Sequence, residues 1–288
     1  MAFPIGLRIP GKIAAEGMDN VAAWAKEIGL QVLDLGSPAP NAVDALRTHG
    51  LMLGSIDLAG HGDLLSKDPE RQAKGKATMQ KRIDQAAAVG GKSLFVCLIP
   101  GEPMSRGEAF HLWQENFPPL VEYAESKGVA FAMEGWPGGA PTYPSAAYSP
   151  EVFRAMFRAV PSPALGLCYD PSHLVRLGID YIRFLDEFGD RVRHCHGKDT
   201  EILPEGQYNY GYLRAVLDPT PAFSEGPWRY CIPGDGTVDW ARVAYRLEAH
   251  GYQGPICIEL EDARYRGSLE AEQAGVRKAL AHLARTTA

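Results

Sequence analysis

The sequence predicts a single-domain α/β fold, a closed (β/α)8 (TIM) barrel over residues 1–288. Three observations carry this. Short apolar runs alternate with amphipathic stretches, the strand-then-helix order that builds a parallel sheet. The alternation recurs eight times along the chain. The length suits one barrel, for which about 250 residues is typical.

Each unit has its own signals. The first strand is Ile5–Ile9. The stretch Asp19–Gly29 follows with apolar residues at helical spacing, an Asp at the N-cap position and a Gly at the end. Gln31–Leu35 is the second strand, and Asn41–His49 a short helix closed by Gly50. Leu51–Asp57 precedes a long helix, Pro69–Val89, that stops at Gly90-Gly91. Ser93–Ile99 and Gly107–Lys127 form the fourth unit. Val129–Glu134 leads into Pro150–Val160, whose start Ser149-Pro150 marks. Leu165–Asp170 leads into Asp180–Phe188, and Val192–Lys198 into Asp239–His250. Pro255–Glu261 and Ser268–Arg285 complete the set; Glu270, Glu272 and Arg285 complement the last helix dipole. One long connection, residues 200–236, follows the seventh strand. Its Tyr, Pro, Gly and Trp content predicts a structured, lid-like insertion rather than a linker. An open doubly wound sheet is the alternative, but no G-x-G-x-x-G follows the first strand.

Composition narrows the function. With 45% apolar residues the chain can build a large core, which excludes disorder. Five cysteines in this length are too few for a disulfide scaffold, and Cys97, Cys168, Cys195 and Cys257 lie in apolar strand-like runs. They are expected to be reduced packing residues of a cytoplasmic protein. A net charge of −6 gives no reason to expect nucleic acid as a partner. No run approaches the ~20 apolar residues of a membrane span, and no secretory signal opens the chain. P-loop, nucleophile-elbow and C-x-x-C patterns are all missing.

Active sites of such barrels lie at the C-terminal ends of the strands. The fifth strand ends in Glu134, the sixth in Asp170, the seventh in His196, and the eighth in Glu259 or Glu261. Side chains alternate along a strand. The phasing is consistent with all four pointing inward, mostly above small residues such as Ala132, Cys168 and Cys257, without proving it. Three carboxylates brought together repel and raise one another's pKa, and a divalent cation removes that cost. Oxygen ligands with one imidazole suit Mn2+, Mg2+ or Co2+, with Zn2+ also fitting. Periodicity does not choose between Glu259 and Glu261, which share a face.

The segments Met133-Glu134-Gly135-Trp136, Tyr169-Asp170-Pro171-Ser172-His173-Leu174, His194 to Glu201, Pro233 to Trp240 and Ile258 to Asp262 stand in a characteristic order and spacing. In this the chain resembles the xylose isomerase-like TIM-barrel superfamily, sugar isomerases and epimerases that include relatives of endonuclease IV (the AP endonuclease family 2-like proteins). The resemblance implies that Glu134, Asp170, His196 and Glu259 bind one divalent metal ion, Mn2+ before Mg2+, Co2+ or Zn2+, and it selects Glu259 over Glu261. It implies that Glu134 and Glu259 are also catalytic, one removing a proton alpha to a carbonyl and the other returning it through an enediolate. His173 matches a histidine that contacts substrate or the metal site.

Two departures limit the assignment. Some ketose epimerases carry a further Glu six residues after the first metal Glu, where this chain has Ala140. The endonuclease IV branch needs a His at the end of strand four, where this chain reads LFVCLIPG, so a three-metal nuclease is not expected.

Further substrate-binding candidates are Lys198, in phase with His196; Trp136, an apolar wall for a sugar ring; Arg8 at the end of strand one; and His61 in the loop after strand three. A salt bridge accounts equally well for Lys198 or Arg8, and a solvated loop accounts better for His61. Asp34 reaches the same rim, Trp228 belongs to the insertion, and His194 lies one layer deeper, packed or hydrogen-bonded. The expected function is a metal-dependent isomerase or epimerase of a sugar or polyol ketone, cytoplasmic and homo-oligomeric (dimer or tetramer). The alternatives are a lyase, dehydratase or keto-glycoside-cleaving enzyme on the same scaffold, and beyond those a nuclease or a non-catalytic sugar-binding subunit.

Overall fold

The computed structural model describes residues 3–287. Eight parallel strands close into a barrel in the order β1-β10-β7-β6-β5-β4-β3-β2. They are β1 (Ile5–Arg8), β2 (Val32–Leu35), β3 (Met52–Asp57), β4 (Ser93–Val96), β5 (Ala130–Glu134), β6 (Leu165–Tyr169), β7 (Val192–Gly197) and β10 (Ile256–Glu259). The other two, β8 (Asp199–Ile202) and β9 (Trp228–Cys231), form a separate antiparallel ribbon. Helices return the chain between barrel strands, as parallel pairing requires. Closure pairs β1 with β10, setting Arg8 beside Glu259.

The main apolar core lies between strands and helices, around fully buried Trp113, Phe117, Phe131, Phe153 and Trp240. A second, small cluster of Phe95, Ala132 and Cys168 fills the upper barrel, with Cys97 against it. Small and polar residues fill the rest of the interior. A Cβ on Gly6 would lie 2.5 Å from Cys257 Sγ, and one on Gly54 would lie 2.1 Å from Asp34 Oδ1. Both glycines are therefore space requirements.

Helix ends follow local chemistry. Asp68, Asp180, Asp239 and Ser268 each cap a helix by accepting from backbone N–H groups. Gly29 closes Met18–Ile28 at φ +94°, in the left-handed region. The expected helix 107–127 is corrected. It is two helices, Arg106–Asn116 and Pro118–Ser126, because Pro118 and Pro119 have no N–H to continue the ladder. The first helix instead begins with a capping box of Ser105 and Glu108. The last strand is also shorter than expected, ending at Glu259 rather than Glu261. Residues 200–236 carry most of the β8–β9 ribbon and the helix Pro204–Tyr210. Among the described residues no helix is long and apolar enough to cross a membrane.

Gly54→Ala is expected to lower stability by about 1–3 kcal/mol through overpacking against Asp34. Gly11→Ala, whose Cβ meets nothing within 4 Å, is the control and is expected to be neutral. Urea midpoints of the two variants check this; equal midpoints would contradict it.

Candidate metal centre at the barrel mouth

Strand ends position the donors. Glu134 closes β5, Asp170 follows β6, His196 lies in β7 and Glu259 closes β10. One donor atom from each lies within 4.8 Å of every other. Asp170 also caps the helix Pro171–Arg176 by accepting from Ser172 N at 2.9 Å, which fixes one oxygen and leaves Oδ2 turned to the cluster. His196 Nδ1 stands 2.7 Å from Glu134 Oε1 and 3.4 Å from Glu259 Oε2.

Other expected residues join this set. His173 follows Asp170 by three residues on the same short helix. Its Nε2 lies 3.2 Å from Glu134 and 3.3 Å from Asp170, and its Nδ1 is 2.6 Å from Tyr230 Oη. Lys198 is fully buried and donates to Glu259 at 2.5 Å and Glu261 at 3.0 Å, with Asp170 Oδ2 at 3.1 Å. Arg8 meets Glu259 at 3.2 Å, holds Asp57 through both terminal nitrogens, and lies over the Phe95 ring. Trp136 follows β5 and lines a neighbouring cavity. His61 stands apart. It opens the short helix His61–Leu64 and makes no hydrogen bond or ion pair with the four donors among the described residues.

Sequence reasoning missed several partners. Cys97, taken for a packing residue, donates its thiol to Glu134 Oε2 at 3.2 Å. Burial beside Glu134 holds that thiol protonated, well above its ordinary pKa. Tyr230 arrives from the ribbon, a placement that no strand-end rule reaches. Asp34, expected at the rim, is buried instead. It accepts from Ser55 N at 2.6 Å and pairs with His194 at 3.0 Å, and lies 3.8 Å from His196 Nε2.

The segment Pro233 to Trp240 is held in place by Asp199. Asp199 accepts from the backbone of Thr200, Gly234 and Val238, folding that loop onto the ribbon. A Cβ on Gly236 would lie 2.1 Å from Asp199 Oδ1. Burial pushes the Asp199 carboxyl up to about 6.

The electrostatics follow from crowding. Burial disfavours the Glu134 and Glu259 carboxylates, but His173 and His196 hold Glu134 well below the usual range, and Lys198 and His196 do the same for Glu259. Burial opposes the Lys198 ammonium; Asp170, Glu259 and Glu261 outweigh it and keep it charged. Asp170 Oδ2 makes no hydrogen bond and meets Lys198 and His173 only as ion pairs; His196 Nε2 is also unbonded but faces Asp34, while Nδ1 faces the carboxylates. A divalent cation fits this donor set. It would answer the Asp170 oxygen that makes no hydrogen bond and the surplus of carboxylates that Lys198 and Arg8 offset only in part.

The chain matches the family of xylose isomerase-like TIM barrels over residues 11–286, and it belongs to that family. Inosose dehydratase of Geobacillus thermodenitrificans is 32% identical over 168 residues, covering 57% of this chain and 51% of that protein. The chain spans about half the length of the curated relatives it matches. Among solved structures, D-allulose 3-epimerase from Methylomonas sp., in complex with D-allulose, superposes with a TM-score of 0.70 at 21% identity, covering 99% of this chain and 97% of that one. The 3-keto-D-glucoside 4-epimerase YcjR from E. coli gives 0.69 at 17% identity, with 98% of each chain covered. At these identities the two structures show a shared fold.

Lys198→Met is expected to cost the metal-free protein about 3 kcal/mol at neutral pH, since it strips buried carboxylates of their ammonium. The deficit is expected to shrink as pH falls, because protonation relieves the repulsion. Mn2+ is expected to stabilise the variant more than the parent. Denaturant midpoints with and without Mn2+ measure all three, and an unchanged metal-free midpoint would contradict the account.

Proposed function

We propose that this protein is a divalent-metal-dependent carbohydrate isomerase or epimerase that moves a proton on the carbon alpha to a carbonyl. The convergence of Glu134, Asp170, His196 and Glu259 within 4.8 Å carries this reading. The family, and the epimerases that share its fold, support it. Mn2+ is the preferred ion, with Mg2+, Co2+ and Zn2+ compatible with the same donors. The reading places the enzyme in the cytoplasm, acting on a small carbohydrate, with a dimer or tetramer as its assembled form.

When bound to the four donors, the ion would polarise the substrate carbonyl and offset the charge of an enediolate. The remaining work falls to this chain's own groups. Glu134 and Glu259 are both held ionised, so either can accept a proton. One removes the alpha hydrogen and passes that proton to solvent; the other takes a proton from solvent and delivers it to the same carbon from its own side. Lys198 and His173, 3.4 Å apart, sit where they can hold a substrate oxygen. Arg8 fixes Glu259 from the far side. Cys97 and His196 orient Glu134. His61 has no part in this scheme.

A dehydratase is the second reading, and the Lys198 ammonium favours it. A carboxylate that removes the alpha proton and an ammonium that protonates a beta hydroxyl together release water and leave a carbon–carbon double bond. Lys198 bonds directly to Glu259, so both groups are in reach of one substrate. Inosose dehydratases among the relatives fit this chemistry.

Incubating the Mn2+-loaded protein in D2O with ketoses, keto-glycosides and inososes tests the reading. Deuterium is expected at the alpha carbon of a turned-over substrate, and Glu134→Gln and Glu259→Gln are each expected to slow its entry at least about 100-fold. A product heavier only by the incorporated deuterium identifies the isomerase, and one lighter by a water the dehydratase. Unchanged exchange in a folded Glu134→Gln protein would contradict both.

A further inference from the structure

Two cavities open on the barrel mouth and meet at Glu261. One, of about 560 Å³, is lined by Arg8, Glu259 and Glu261 and so borders the proposed centre at Glu259. The other, of about 510 Å³, is walled by Trp136, Arg176, Trp228 and Tyr230 and also reaches Glu261. Phe223 lines both. It stands at φ +60°, a strained conformation for an aromatic residue, with the Arg266 guanidinium over its ring. Each cavity alone is within the range of about 300–1,000 Å³ that holds a whole small ligand. Together they offer room for more than one ring.

The wall of the second cavity is aromatic and close to neutral. Arg176 is buried, lies 4.0 Å over the Trp228 ring, and is bound to Glu225 at 3.2 Å and Tyr230 Oη at 2.7 Å. Its charge is thereby matched and its position fixed. Tyr230 joins this wall to the centre, because the same hydroxyl meets His173. Trp136 is half-buried, and its ring has no aromatic or cationic partner among the described residues. An indole held at the edge of a cavity without a partner is a stacking face for an uncharged ring.

We propose that this second cavity is a subsite for the neighbouring ring of the substrate, so that the protein acts on a glycoside rather than on a free monosaccharide. The reacting ring lies over Glu259 and Lys198, and the attached sugar or aromatic aglycone extends past Glu261 onto Trp136. The inference rests on the proposed function for the place of the reacting ring; the subsite itself rests on the aromatic cavity.

Calorimetric titration with phenyl β-D-glucopyranoside and with glucose, each with and without Mn2+, tests it. The phenyl glucoside is expected to bind at least tenfold tighter than glucose. Trp136→Ala removes the stacking face, and Gly139→Trp adds bulk at the cavity wall, where a Cβ meets nothing within 4 Å. Both are expected to cut the advantage to within about twofold while leaving Mn2+ binding intact. Equal binding of the two probes, no binding of the glucoside, or an advantage that survives both variants would overturn the subsite. Failure to bind Mn2+ would count against the proposed function instead, and a glucoside preference in that same protein would still support the subsite.

Discussion

Four carboxylates, Asp170, Glu134, Glu259 and Glu261, crowd around one buried ammonium at the mouth of the barrel. Like charges so close and so poorly solvated are costly, and much of the surrounding structure offsets that cost. His173 and His196 bridge the carboxylates, Arg8 takes the outer oxygen of Glu259, and the Cys97 thiol takes one of Glu134. Barrel closure makes the crowding unavoidable. With β5, β6, β7 and β10 adjacent in the sheet, four acidic or imidazole strand ends have one place to meet. A cation held there, as proposed, would find ionised carboxylates, a fixed ammonium and the unbonded Asp170 Oδ2 already in position.

The fold was legible because its signals are local. Apolar runs, Gly stops and Asp or Ser caps locate strands and helices within a few residues of one another in the chain. The break at Phe117 was local too. Pro118-Pro119 announces it, and the helical periodicity on both sides conceals it. The ligand candidates were legible by a different route. A barrel converts strand order into proximity, so strand-end residues far apart in sequence can be placed without coordinates.

That route stops at the edge of the barrel. Tyr230 meets His173 across 57 positions, and Glu225 meets Arg176 across 49. Both depend on how the 200–236 insertion folds back, which strand phasing does not encode. Cys97 was hidden for another reason. A cysteine in an apolar strand reads as packing, and only the register of β4 against β5 turns its thiol toward Glu134. Asp34 shows the opposite case, a residue near a strand end that the interior claims through Ser55 and His194. The insertion thus adds to the barrel an aromatic wall that includes Trp228 and Tyr230.

The central claim is that Glu134, Asp170, His196 and Glu259 hold one divalent ion. Anomalous diffraction at the manganese edge, from crystals grown with Mn2+, addresses it most directly. The account predicts a single anomalous peak bonded to all four side chains at the barrel mouth, with Lys198 beside it. A mouth without a peak at full Mn2+ occupancy elsewhere, or an ion held by Asp34, His194 and Cys257 deeper in the barrel, would contradict it.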